Sequence, residues 1–73
     1  MARSRPLSIG AEDLLAEMHD RRGISHEMIK HNGQRNELSA LVSRNFANST
    51  NYANGTYWLT TDAGDEYYRA MSA

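Results

Sequence analysis

Apolar residues recur at helical spacing in the first part of the chain. Between residues 10 and 22 they fall at positions i, i+3, i+4 and i+7, which predicts an amphipathic helix with Ser8 as its N-cap and Gly23 as its stop. A short second helix is predicted from Ser25 to His31, and a third helix with Asn36 as its cap. The positions predicted to face the core are Ala11, Leu14, Leu15, Met18, Met28, Ile29, Leu38, Leu41, Val42 and Phe46.

The pattern then changes to that of a β-hairpin. A polar stretch leads into Asn54-Gly55, a pair typical of the type I′ turn, in which both residues have positive φ. The return strand, residues 56–60, is rich in β-forming residues. Its alternation predicts that Tyr57 and Leu59 face the core and that Trp58 points away from it.

A last helix follows, capped by Thr61 or Asp62, with Tyr67, Tyr68 and Met71 on its inward stripe. The predicted order is therefore helix, short helix, helix, hairpin, helix. Two helices joined by a tight glycine-containing turn and followed by a hairpin are typical of a small winged helix-turn-helix. We predict this α+β fold, with three helices, an Asn-Gly hairpin wing and a C-terminal helix.

Composition narrows the class of protein. Seventy-three residues indicate one domain, predicted at 10–73 and preceded by a flexible basic arm at 1–9. The chain has no cysteine, which excludes a disulfide framework. A mean hydropathy of −0.71 and the lack of a long apolar run argue against a membrane span. The first residues have no signal-peptide core, so we expect a cytoplasmic protein, in a bacterial host cell if the chain is phage-encoded.

Candidate catalytic chemistry is sparse. His26 and His31 are five positions apart, whereas the helical zinc motif needs two histidines four positions apart. We find no nucleophile elbow and no glycine-rich phosphate loop in the sequence. The expectation is a protein that is not an enzyme, with no cofactor and no metal site.

One segment carries a resemblance to a known family. Residues 55–68 read GTYWLTTDAGDEYY and resemble the wing-to-last-helix segment of prokaryotic and viral winged-helix regulators. Those regulators often read Tyr, any residue, Leu, Thr, two residues and Gly before the last helix. Tyr57 and Leu59 match the strand positions and residues 61–64 match the Thr-x-x-Gly step, with one extra threonine before it.

In length, single-domain build and non-basic charge, the chain is also similar to small phage-encoded transcription regulators that bind host RNA polymerase, of the kind known from a lytic xanthomonad phage. That resemblance implies a polymerase subunit as the partner, with inhibition of initiation or read-through of terminators as the outcome.

Ten side chains are candidates for contacting a partner or DNA. They lie on the exposed face of the third helix, on the wing and in the arm: Arg35, Asn36, Ser39, Ser43, Arg44, Tyr52, Asn54, Trp58, Arg3 and Arg5. Arginine and asparagine read bases through bidentate hydrogen bonds, but any amphipathic helix also has a solvated polar face. An exposed tryptophan favours a protein partner, whereas packing of Trp58 on the arm or on the polar stretch is the alternative.

The net charge of −1 favours a protein partner over DNA. Strong DNA binders neutralise roughly six to ten phosphates, and the third helix and arm offer four arginines. We therefore predict a transcription regulator that binds RNA polymerase by steric protein contact, as a monomer or weak dimer without membrane contact. The alternative is a sequence-specific winged-helix repressor whose recognition helix and wing contact DNA. An inhibitor that uses the same fold as a protein plug is a third class.

Overall fold

Seven elements follow one another in the part of the chain that the computed structural model describes, residues 7–72 (of residue 72, the backbone only). They are α1 (Ile9–Arg21), β1 (Ile24–Ser25), α2 (His26–Asn32), α3 (Arg35–Ser43), β2 (Ala47–Tyr52), β3 (Gly55–Thr60) and α4 (Asp62–Ser72). The chain forms a small α+β domain with a three-stranded antiparallel sheet. None of these helices is long and apolar enough to cross a membrane.

The sheet has β3 as its central strand, in the order β1-β3-β2. β2 pairs with β3 along its whole length, from Ala47 opposite Thr60 to Tyr52 opposite Gly55. On the other side of β3, the two residues of β1 pair opposite Trp58 and Tyr57. The sequence did not predict β1, because two residues are too short to show an alternating pattern. Its pairing ties the start of α2 to the hairpin.

The helix N-caps predicted at Ser8 and Ser25 are confirmed, and of the two candidates for the last helix Thr61 is the cap. The hydroxyls of Ser8, Ser25 and Thr61 each accept the backbone N–H of the third residue that follows, at 3.1–3.2 Å. This contact satisfies a donor that has no partner inside the helix. The predicted glycine stop of the second helix is also confirmed, since Gly33 has a φ of 66° just after α2.

Two helix ends differ from the predictions. The cap at Asn36 is wrong, because α3 begins at Arg35 and Gln34 holds the cap position without a side-chain hydrogen bond. The left-handed turn at Gly33 reverses the chain tightly, so α3 starts before the predicted capping residue, Asn36. At the end of α1, Arg22 and not Gly23 is the left-handed cap residue, with a φ of 59°. The N–H of Gly23 then donates to the carbonyl of Met18 at 3.0 Å.

The hairpin turn is also displaced by one residue. Tyr52 pairs with Gly55, so residues 53 and 54 form the turn. The positive φ lies at Gly55, at 130°, and Asn54 is not among the described non-glycine residues with positive φ. The predicted type I′ turn at Asn54-Gly55 is therefore wrong. Cross-strand pairs set the register instead, including a 2.9 Å hydrogen bond from the hydroxyl of Thr56 to the side chain of Asn51.

The core lies between α1, the helix pair and the sheet. Leu7 is only 2% exposed, so the folded domain includes residues of the predicted arm. Met28, Val42 and Met71 were predicted to face inward but are exposed, because the short helices bury a narrower stripe than the pattern suggested. The buried apolar residues are Leu7, Ala11, Leu14, Leu15, Met18, Ile24, Ile29, Leu38, Leu41 and Ala47.

The alternation of β3 is opposite to the prediction. Trp58 packs against the core, opposite Ile24 of β1. Tyr57 and Leu59 lie on the other face of the sheet, where both are half-buried. A one-residue error in assigning the core face of a strand inverts every side chain on it.

Candidate interaction surface

The polar face of α3 is open to solvent, as the sequence predicted. Arg35, Asn36, Ser39 and Ser43 are exposed, and Arg44 is exposed at the cap position that follows the helix. Of these side chains, Ser43 returns a hydrogen bond to its own helix, donating to the carbonyl of residue 40 at 3.2 Å. The face can therefore make new hydrogen bonds without breaking a tertiary contact. Arg3 and Arg5 lie outside the described residues.

The predicted wing corresponds to the β2–β3 hairpin, for which we keep the name wing, and an aromatic pair lies near its tip. Tyr52 is 52% exposed, and its ring meets that of Tyr57 edge to face with centroids 5.4 Å apart. The amide nitrogen of Asn54 donates to the hydroxyl of Tyr57 at 3.1 Å. Edge-to-face contact and the amide hydrogen bond together fix the orientation of Tyr57. The wing thus presents a preformed aromatic surface rather than two independent side chains.

Trp58 does not belong to this surface. It is half-buried, and its indole Nε1 donates to Nδ1 of His26 at 3.2 Å. The prediction of an outward-facing tryptophan is therefore wrong. The inverted alternation puts Tyr57 on the outer face in its place.

Two open clefts lie beside β3 and share two lining residues, Arg22 and Leu59. The wing cleft, of about 270 Å³, is completed by Tyr52, Asn54 and Tyr57. The second cleft, of about 320 Å³, extends toward the start of α4 and is completed by His19, Thr60 and Asp65. We call the two together the outer groove.

The α4 end of the outer groove is held by polar contacts. The hydroxyl of Thr60 donates to the carboxylate of Asp65 at 2.7 Å. The ring of His19 stacks on that of Tyr68 with centroids 4.2 Å apart, and its Nε2 lies 4.0 Å from Asp65. The Tyr68 hydroxyl donates to Asp20 at 3.3 Å. These contacts join the end of α1 to α4 and keep that wall of the groove in place.

Arg22 stands between the two clefts. Neighbouring cations are engaged on their own helices, Arg21 with Glu17 at 3.3 Å and Lys30 with Glu27 at 4.0 Å. Within residues 7–72, Arg22 has no ion pair. Its guanidinium is therefore open to an incoming anion, beside an aromatic and aliphatic wall.

The outer groove contains residues that the sequence analysis did not single out as contacts. Tyr57 was assigned to the core by the inverted alternation. Arg22, at the end of the first predicted helix, was not among the candidate contact residues. The one available signal for Arg22 was its place just before Gly23, where chain reversal directs a long side chain toward the sheet.

Metal chemistry has no candidate in this part of the chain, since residues 7–72 contain no group of three His, Asp or Glu side chains arranged to hold an ion. No protein-family model, curated protein or solved structure matches the chain.

Proposed function

We propose that this chain is a winged-helix transcription regulator that binds RNA polymerase and acts by steric protein contact. The order of elements supports the winged-helix part of the proposal. A short strand between α1 and α2 pairs with the hairpin, and α3 precedes the hairpin, which is an order compatible with this architecture. Because fold does not determine function, the support for a particular partner comes from the surface.

The observation that carries the proposal is the preformed aromatic pair on the wing. Tyr52 and Tyr57 are rigid, amphipathic side chains of the kind that dominate protein interfaces. The adjacent strand β2 carries no charged residue, so a partner surface meets neither a cation nor an anion there. Such a surface suits a protein better than a phosphate backbone.

The charge of α3 also favours a protein partner over DNA. The exposed face of α3 offers Arg35 and Arg44 as its cations, and Glu37 on the same helix offsets one of them. A duplex-binding protein gains most of its affinity from several phosphate contacts. Two arginines supply too few of these contacts for tight binding by one copy of the chain.

A sequence-specific repressor is the second candidate. Its support is the open hydrogen-bonding face of α3, where Asn36, Ser39 and Ser43 make no side-chain hydrogen bond to another element among residues 7–72. Asn36 would read an adenine, and Arg44 would contact a phosphate or a guanine. This function requires two copies on neighbouring half-sites.

Co-elution with bacterial RNA polymerase core enzyme tests the proposal. We expect the chain to co-elute with the enzyme, Tyr52→Ala to weaken binding at least about fivefold, and Met71→Ala, an exposed apolar control on α4, to leave it unchanged. In single-round transcription, binding should reduce initiation or increase terminator read-through. Binding to promoter DNA with a steep salt dependence, lost in Arg44→Ala and unaffected by Tyr52→Ala, would establish the repressor instead.

A further inference from the structure

The outer groove has an apolar end, a cationic middle and a polar end. From this arrangement we infer that it binds a short segment of a partner protein that carries an acidic side chain next to an apolar one. The inference deepens the proposed function and rests on it for the identity of the partner, while the chemistry of the segment rests on the groove.

Charge identifies the acidic position of the segment. Arg22 lines both clefts and has no ion pair within the described residues. The other described arginines without an ion pair line neither cleft: Arg35, Arg44 and Arg69. A carboxylate in the groove would therefore meet the fork of Arg22, which matches its two oxygens.

The wing end identifies the apolar position. Tyr52 and Tyr57 form an edge-to-face corner with Leu59 at its base. Asn54 already uses its amide nitrogen on the Tyr57 hydroxyl, so the corner is not free to collapse. An aromatic or branched apolar side chain fills such a corner and gains from both ring contact and desolvation. Because Arg22 lines the same cleft, the acidic and apolar side chains belong to neighbouring positions.

Carboxylates nearby argue for a protein segment over a nucleic acid. Asp65 lines the α4 end of the groove, and Asp20 is exposed beside it on α1. A phosphate backbone in the groove would be repelled by both carboxylates and would pair with one arginine only, Arg22. A peptide segment with a single carboxylate would pair with Arg22. Asp65 and Asp20 would then stay hydrated or accept a hydrogen bond from a donor group of the segment.

The backbone of Arg22 adds an independent argument. Its φ of 59° lies in the left-handed region, where glycine is the common residue at a helix end. An arginine there strains the backbone, and such strain is found preferentially where a side chain has a role in binding.

The experiment titrates the isotope-labelled full chain with short blocked peptides and follows backbone and arginine side-chain NMR signals. The test peptide has a phenylalanine–aspartate pair at its centre, and the two matched peptides carry phenylalanine–asparagine or alanine–aspartate. We expect the test peptide to shift the signals of Arg22, Tyr57 and Leu59, and both matched peptides to bind at least about fivefold more weakly. Arg22→Gln should abolish these shifts, whereas Arg69→Gln should not.

Three results would overturn the inference. One is equal binding of the asparagine and aspartate peptides. Another is the absence of shifts in the groove with any peptide. The third is stronger binding of a ten-nucleotide oligothymidylate at the same residues, which would assign the groove to nucleic acid.

The polymerase measurement separates this inference from the proposed function. If the peptide fills the groove and the chain does not co-elute with polymerase, the groove chemistry stands and the polymerase assignment fails. If the chain and its Arg22→Gln variant bind polymerase equally and the peptides are silent, the groove inference fails and the polymerase assignment stands.

Discussion

The indole nitrogen of Trp58 donates a hydrogen bond of 3.2 Å to Nδ1 of His26. The two residues are far apart in sequence and connect the central strand of the sheet to the first turn of α2. Trp58 also lies opposite Ile24 and packs on the core. The single tryptophan is therefore a structural link between the hairpin and the helix pair, and the exposed aromatic surface of the wing lies on the other side of the same strand.

Replacing Trp58 is expected to reduce stability far more than replacing an exposed wing residue. Trp58→Ala removes core contacts and the hydrogen bond to His26, which should lower the free energy of unfolding by about 3 kcal/mol. The free energy of unfolding of a folded domain is roughly 0.05–0.15 kcal/mol per residue, so this loss is a large part of the whole. Tyr52→Ala, the control, should cost less than about 1 kcal/mol. Urea unfolding followed by circular dichroism measures both, and comparable losses would contradict the assignment of Trp58 to the core.

Helix boundaries were the most predictable part of the fold, because their signals are local. A serine or threonine hydroxyl reaches a backbone N–H only three residues away, and Ser8, Ser25 and Thr61 do so as predicted. Asn36 failed because a neighbouring turn, at Gly33, had already set the start of α3. A capping residue predicted from the sequence is therefore not used when a neighbouring turn starts the helix before it.

The faces of the sheet could not be predicted in the same way. Both faces of β3 carry large side chains, so alternation alone does not say which face is buried. Strand β1, which is too short to predict, pairs with β3 and places Trp58 opposite Ile24. This pairing determines which face of β3 is buried. The outer groove escaped prediction for the same reason, since it depends on Tyr57 and Leu59 facing outward and on Arg22 folding back beside them.

Gly64 is expected to tolerate no side chain. It is buried in the first turn of α4, and a Cβ there would overlap the carbonyl oxygen of Phe46 and lie 3.3 Å from its Cα. Gly64→Ala should lower the free energy of unfolding by about 2 kcal/mol, since backbone cannot move aside cheaply.

Gly10→Ala is the matched control for that substitution. A Cβ on Gly10, in α1, would meet the side chain of Glu37 at 3.3 Å, and that side chain can rotate. Helix propensity then favours alanine, so stability should hold or rise by up to about 1 kcal/mol. Thermal unfolding compares the pair, and equal melting temperatures would contradict the close approach of α4 to residue 46.

The hydroxyl of Tyr67 is expected to contribute to stability through a buried carboxylate. It donates to Glu12 at 2.8 Å, and Glu12 is 9% exposed. Tyr67→Phe keeps the ring contact with Phe46 and removes one donor from that carboxylate, which should cost about 1.5 kcal/mol. Tyr68→Phe is the control, because its 3.3 Å bond to Asp20 is exposed and should contribute less than about 0.5 kcal/mol. Chemical unfolding of both variants distinguishes them, and a larger loss for Tyr68→Phe would contradict this ranking.

Arg22 is expected to lower the stability of the fold and to be required for binding. Glycine adopts the φ of 59° without the Cβ strain of arginine, so Arg22→Gly should raise the free energy of unfolding by about 1 kcal/mol. The same substitution removes the guanidinium from the outer groove and should abolish binding of the phenylalanine–aspartate peptide. Asn45→Gly, at the other described non-glycine residue with positive φ, should give a smaller gain and leave the peptide bound. Because the binding loss would accompany a more stable fold, it could not be attributed to unfolding, whereas a loss of stability in Arg22→Gly would mean that the arginine holds the fold rather than a partner.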